Sequence, residues 1–283
     1  MSRRALLFGE ALIDEFPDRR VVAGAPLHVA AHLASFGWEA LVVARVGDDA
    51  DGRAIRGRLE RHGVGTSLLE VDPVLPTGTV AITLHPGAGH SFNIRRPAAW
   101  DAVEGPPVVP PHDVVYFGSP ALRDPRARAA LERLLAAGST RLVDANLRPP
   151  DYDAARLRFA VTHADVFKAS AEELPELARL LQVSPDPRAL FAFGPEWVGI
   201  TRGAAGAELH HRDGRRWEAP GASVEVVDTV GAGDAFLAGL IDGLMTAGDG
   251  AAALARAQRT AAAIVGQRGG FPEWEPGRPP SSS

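Results

Sequence analysis

The chain has 283 residues, 46% of them hydrophobic, enough for one large core with or without a small appendage. A formal charge of −5 argues against nucleic acid and anionic membrane as partners, and the lack of cysteine excludes disulfide scaffolds and thiolate chemistry. No apolar run is long enough to cross a bilayer, and residues 1–4 lead straight into a short strand, so a cytoplasmic protein is the expectation.

Residues 5–8 are a short apolar run ending in Gly9, a buried-strand pattern. Residues 26–36 read as a helix, with Pro26 at its first position and Gly37 behind it. A strand at 41–46 and a helix at 54–61, ended by Gly63, follow. Further strands are expected at 113–117, 141–144, 166–168 and 197–201, with helices at 126–137, 154–162 and 172–181. Two alanine-rich helices near 232–246 and 249–266 complete the series. This alternation predicts an α/β fold, a mostly parallel central sheet with helices on both faces.

One region breaks the alternation. Residues 77–85 and 91–95 read as two strands around Pro-Gly-Ala-Gly, no helix follows directly, and 14–22 is also extended. These segments predict a small projecting β-sheet. Ligands in open α/β folds sit beyond the carboxyl ends of the parallel strands. A sheet projecting there serves as a water-excluding lid, a dimer contact, or both. The expected organisation is a single domain over 1–274, with lid segments near 14–24 and 76–98, and a disordered Pro- and Ser-rich tail at 275–283.

The most informative stretch is Asp-Thr-Val-Gly-Ala-Gly-Asp-Ala-Phe at 228–236. Gly231, Ala232 and Gly233 open a helix, and a helix start offers unpaired amides at the positive end of its dipole, an anion site. Asp234 in that first turn would repel a stored phosphate, but it suits phosphoryl transfer: it accepts the proton of an attacking hydroxyl while the amides hold the moving charge. Gly-rich helix starts are common and an Asp there is often only a cap, so this stretch alone leaves both readings open. Lys168 is the only lysine, so no Gly-x-x-x-x-Gly-Lys loop exists and any nucleotide is held by another device.

Several separated stretches together resemble the PfkB-type carbohydrate kinases, the ribokinase family, from Gly9 to about Pro272. The 228–236 stretch is similar to that family's C-terminal signature, which implies an anion hole at Gly231, Ala232 and Gly233 and a catalytic base at Asp234. Gly-Glu-Ala-Leu-Ile-Asp at 9–14 resembles the family's first strand and turn, implying that Asp14 binds sugar hydroxyls. Gly24-Ala25-Pro26 resembles the segment where backbone approaches the sugar, with His28 among its ligands. Val-Gly-Asp-Asp at 46–49 with Gly52 matches a further segment, whose plainer reading is a strand-to-helix turn with a capping Asp. Asp-Ala-Asn-Leu-Arg at 144–148 implies that Asn146 faces sugar or phosphate and that Arg148 supplies cationic donors. Thr201, Gly203 and Gly206 resemble the nucleotide loop. Lys168 and Gln258 fall on the same nucleotide side, and Glu173 resembles the glutamate that helps place magnesium.

Four positions depart from the family pattern: Ala23 for a glycine, His28 for an asparagine, Ser170 for an asparagine and Gln258 for an asparagine. His28 and His32 also stand four apart on one helix face, but no third metal ligand is evident. The resemblance implies a ribokinase-like fold and ATP-dependent transfer of the γ-phosphoryl group to a primary hydroxyl of a ketose, fructokinase-like, with Mg2+. It leaves room for a monovalent cation such as K+ near 228–230 and 264–269, and for a homodimer through the lid. A kinase of 2-keto-3-deoxygluconate or another sugar acid is the alternative, with Arg96 and Arg148 as candidates for its carboxylate. A non-catalytic sugar or nucleotide sensor is the further alternative, motivated by the four departures.

Overall fold

In β1 (Arg4–Phe8), Ala5 and Leu7 face one side, Leu6 and Phe8 the other, and all four are fully buried. Alternate strand residues point to opposite faces, so an unbroken apolar run marks a strand covered on both. The structure, a computed structural model, describes residues 3–85, 89–222 and 224–272.

After β1 the chain makes β2 (Leu12–Glu15) and β3 (Arg20–Ala23), then α1 (Ala25–Ser35), which starts with a proline in its first turn. β4 (Glu39–Gly47) precedes α2 (Ala50–Arg61), and β5 (Leu69–Asp72) lies beside β4. β6 (Gly78–His85) and β7 (Gly89–Ile94) form a hairpin. Then β8 (Val114–Gly118), α3 (Pro125–Leu135), β9 (Thr140–Asp144), α4 (Ala154–Thr162), β10 (Val166–Ser170), α5 (Leu174–Leu181) and β11 (Trp197–Thr201) alternate. β12 (Ala207–His211) and β13 (Arg216–Ala219) pair antiparallel, followed by α6 (Ala232–Ala247) and α7 (Gly250–Val265).

The main sheet has nine strands in the order β13-β12-β11-β10-β9-β8-β1-β4-β5, parallel from β11 to β5. Residues of α1, α2, α6 and α7 pack on one face and residues of α3, α4 and α5 on the other, giving two core clusters. The second sheet has the order β3-β2-β6-β7 and its own small apolar cluster of Leu12, Ala23, Val80 and Ile82. It is the projecting sheet expected from the sequence. Asp49 fixes it to the body. One carboxylate oxygen accepts from the Gly52 amide (2.8 Å) and the Thr77 hydroxyl (2.7 Å), the other from the Thr77 amide (2.8 Å), just before β6 begins. The 46–49 segment therefore caps α2, as its plainer reading had it, and also ties the projecting sheet to the body through Thr77.

Three strands were not expected: β5, β12 and β13. β12, one strand in from the sheet edge, is buried along its whole length although it contains Glu208, His210 and His211. Glu208 is neutralised by Arg202 (2.5 Å) and Arg216 (2.7 Å) and lies 3.1 Å from His210, which makes its burial tolerable. α2 begins four residues earlier than expected because Asp49 supplies its cap. The turn at 86–88 and the tail at 275–283 lie outside the described residues.

Candidate active site

A cavity of about 1120 Å³ forms a cleft at the carboxyl ends of the parallel strands, roofed by the lid. Glu10 follows β1, Asp144, Asn146 and Arg148 follow or end β9, Lys168 and Ser170 lie on β10, and Thr201 ends β11. Asp14, Val80, Ile82 and Ile94 reach it from the lid, and 229–234 with Gln258 close it from the side of α6 and α7. The volume exceeds what one small ligand needs, roughly 300–1,000 Å³ for drug-sized pockets, and suits two ligands end to end.

The turn before α6 is set by two close approaches. Gly231 has φ 78°, and a Cβ there would lie 2.3 Å from the Gly270 backbone, so only glycine fits. A Cβ at Gly233 would lie 3.0 Å from Lys168 Nζ, which places that ammonium beside the helix start. The Ala232 amide turns back to the Thr229 carbonyl (3.3 Å), so the expected three-amide hole is modified: Ala232 is partly engaged, and Gly233 and Asp234 follow in the first turn with no intrahelical carbonyl to bond. Lys168 is buried and bonds both oxygens of Asp144 (3.1 and 3.2 Å). Burial works against its charge, but the carboxylates of Asp144, Glu173 and Asp234 hold it above its ordinary pKa. Lysine cation and helix dipole thus converge on one spot.

Asp234 projects into the cleft with its side chain 15% exposed, and its Oδ2 lies 2.8 Å from His28 Nδ1. A carboxylate only accepts, so the proton sits on Nδ1. His28 comes from α1, 206 residues away in sequence. Its ring meets the Phe271 ring edge-on at 5.0 Å and lies against Gly270, where any Cβ would overlap the imidazole. The histidine that replaces an asparagine therefore grips the proposed base and lines the cleft as well. His32, one turn on, is buried and pushed down to about 4 by burial and then by His28. No group of three or more His, Asp or Glu arranged to hold a metal exists among the described residues.

Asp14 sits under the lid with its pKa pushed up to about 6 by burial, against the pull of His28 and Arg148. Gly24, at φ 128°, faces the same space; a Cβ there would lie 2.4 Å from the Glu10 carbonyl oxygen. Ala23 also lines the cleft beside it. Asn146 adopts φ 43°, a left-handed conformation that asparagine tolerates, and its own amide bonds Asp144 (3.2 Å). Sequence reasoning missed Glu10 as a site residue. Its carboxyl is buried, accepts from the Ala25 amide at 3.3 Å, and is pushed up to about 7, chiefly by burial. A lone acid beside an apolar strand was the available signal.

Arg96 is a correction. It does not line the cleft; it is half-exposed and ion-paired with Asp151, which also lies 3.5 Å from Arg123. Glu173 lines the cleft, but both its oxygens are taken by amides, of Leu147 and of Ser170, each at 2.7 Å. The Ser170 hydroxyl accepts in return from the Glu173 amide (3.1 Å), the reciprocal pattern of a capping box, which Ser-x-x-Glu in the sequence could have signalled.

At the far end, Thr201, Gly203 and Gly206 form a turn closed by the Arg202 amide on the Gly206 carbonyl (2.7 Å). Gln258 donates to the Pro220 carbonyl (2.8 Å), so its amide nitrogen braces the rim. Asp228 ties this wall together, accepting from the Val230 and Gly269 amides, each at 3.1 Å.

The sequence profile described as the pfkB family carbohydrate kinase matches residues 8–275. The chain belongs to the pfkB family of carbohydrate kinases. It is 34% identical over 277 residues to a fructokinase of Klebsiella pneumoniae, covering 90% of this chain and 89% of that one. Its fold superposes on fructokinase from Vibrio cholerae O395 bound to fructose, ADP and calcium with a TM-score of 0.82 at 28% identity, covering 95% and 94% of the two chains. It superposes equally, TM-score 0.82 at 28% identity and 95% of each chain, on aminoimidazole riboside kinase from Salmonella enterica bound to aminoimidazole riboside and an ATP analogue. No helix among the described residues is long and apolar enough to cross a membrane.

Proposed function

We propose that this carbohydrate kinase transfers the γ-phosphoryl group of ATP to a primary hydroxyl of a ketose, with fructose as the substrate. The observation that carries the reading is that Asp14 and His28, from the first thirty residues, line one cleft with Asp234, which His28 bonds at 2.8 Å. In the transfer, the sugar oxygen attacks the γ-phosphorus and its bond to the ADP oxygen breaks. The hydroxyl proton passes to Asp234. His28 holds one oxygen of that carboxylate and so directs the other. Lys168, Arg148 and the amides of Gly233 and Asp234 offset the charge on the moving group, which is where phosphoryl transfer needs the protein most. Asp14, Asn146 and the backbone at Gly24 orient the sugar.

Magnesium would accompany the nucleotide and neutralise its phosphates, and Glu173, held in place by the Leu147 and Ser170 amides, would help to hold it. Thr201, Gly203, Gly206 and Gln258 flank the nucleotide, and a monovalent cation fits beside the Asp228 strap. The cytoplasm, where ATP and free sugar meet, is the compartment of this reading, and a second copy of the chain against the lid is its assembly. The sugar-acid alternative loses Arg96, which is paired with Asp151 outside the cleft.

A coupled ADP-release screen across hexoses, ketoses, sugar acids and aminoimidazole riboside tests the substrate. Fructose is expected to give the highest kcat/KM; sugar binding without ADP release would favour the sensor. Asp234→Asn is expected to lower turnover at least ~10²-fold, the usual size of a general-base effect. Full activity in that variant would remove the base from the mechanism.

A further inference from the structure

Behind Gly270 and Phe271, the residues that support His28, lies a second cavity of about 460 Å³ between β3 of the lid, α2 and the segment after α7. Five arginines line it: Arg20, Arg53, Arg58, Arg61 and Arg268. Two have carboxylate neighbours. Arg20 bonds Asp51 through both terminal nitrogens (3.0 and 2.8 Å) and also meets Glu15, while Arg53 lies 3.7 Å from Asp48. Arg58, Arg61 and Arg268 have no carboxylate partner among the described residues. Arg58 and Arg61 stand three apart on α2, a spacing at which like charges repel. Arg58 is half-buried, with its guanidinium 4.9 Å from the centre of the Phe271 ring. Burial, and then Arg61, hold it below its ordinary pKa.

Three cations with no carboxylate partner among the described residues, gathered around one concavity, create a positive field that a counter-ion relieves. Guanidinium groups match phosphate oxygens two at a time, and a phosphomonoester dianion offsets three such charges better than a monocarboxylate does. The buried ring of Phe271 adds an apolar wall, and the volume accommodates a monosaccharide phosphate. We propose that this crevice is an anion site, separate from the catalytic cleft, that binds a small phosphate-bearing dianion, either inorganic phosphate or a phosphorylated monosaccharide.

Calorimetric titration of the full chain with inorganic phosphate and with fructose 6-phosphate, in low-salt buffer free of other oxyanions, tests it. The cleft is first filled with AMP-PNP, magnesium and fructose. One site per chain is expected. Its affinity should fall at least ~10-fold in Arg58→Gln/Arg61→Gln, the factor that one lost charge-assisted contact of about 1.4 kcal/mol gives. It should fall a few-fold in Arg268→Gln, an exposed position whose replacement should leave the melting temperature unchanged. AMP-PNP affinity should be the same in all chains. Comparable affinities for the two probes identify phosphate as the ligand; at least tenfold tighter fructose 6-phosphate identifies the sugar phosphate. Equal affinities in wild type and both variants, or no binding of either probe, would overturn the proposal. So would binding seen only in Glu273→Gln/Glu275→Gln, because the chain's own carboxylates would then be the arginines' partners.

Discussion

Beneath the lid, the cleft brings together Glu10, Asp14, His28 and Asp234, ionisable side chains from three separate segments; toward α7 it is walled by Thr201, Gly203, Gly206 and Gln258, which contribute turns and uncharged groups. Burial shifts Glu10 to about 7 and Asp14 to about 6, while Gln258 is braced on a backbone carbonyl. The first end is organised for a proton and a charge in motion, where small displacements are costly. The second is organised for shape. Lys168 lies between them, joined to Asp144 and beside Gly233. Substitutions should therefore matter most at Lys168, less at a single buried acid, and least at the far rim.

Lys168→Met should give the largest loss of stability. It leaves Asp144 buried without its cation, and breaking a buried pair typically costs ~3–5 kcal/mol. Urea unfolding followed by fluorescence measures it. Lys168→Arg should not rescue, because the extra bulk enters the space beside Gly233 that a single Cβ would already fill. Wild-type stability in Lys168→Met would mean that the pair adds nothing to the fold. A chain that uses arginine at every other basic position keeps lysine at this one. The packing supplies a reason for the exception.

Glu10 sharpens the contrast through pH. Its folded pKa, about 7, lies above the ordinary 4.5, so between those values the folded chain binds more protons than the unfolded one. Stability from this group is full below about pH 4.5 and is lost as pH rises through about 7. The shift corresponds to about 3 kcal/mol. Glu10→Gln should remove that slope and melt higher than wild type at pH 8, by calorimetry in matched buffers. An unchanged pH profile would place the charge elsewhere.

Much of this was legible in the sequence, for reasons that also explain the gaps. Apolar runs such as 5–8 announce internal strands because burial on both faces leaves no polar position. Gly-Ala-Gly-Asp at 231–234 announces a tight helix start because only glycine at 231 permits that turn beside Gly270. β12 stayed hidden because Glu208, His210 and His211 read as solvated; Arg202 and Arg216 pair with Glu208, Glu208 meets His210, and Glu196 and Asp213 meet His211, which makes these residues internal. The His28–Asp234 bond joins residues too far apart for any spacing rule to pair. Arg96 was drawn to the site by nearness to the lid in sequence, and Asp151 holds it outside.

Gln258→Ala should give the smallest effect. The residue is held by one hydrogen bond to the Pro220 carbonyl at an exposed rim, worth roughly 0.5–1.5 kcal/mol. Its loss loosens the segment at 220–222 that flanks the nucleotide end, without touching Asp234, Lys168 or Asp14. The expected outcome is a rise of about two- to fivefold in KM for ATP with kcat and the KM for sugar unchanged, the pattern of weaker binding that is uniform in ground and transition states. Initial rates over a matrix of ATP and fructose concentrations separate those parameters. A fall in kcat instead would mean that this rim reaches the reacting groups, and the division between a chemical end and a shape-only end would fail.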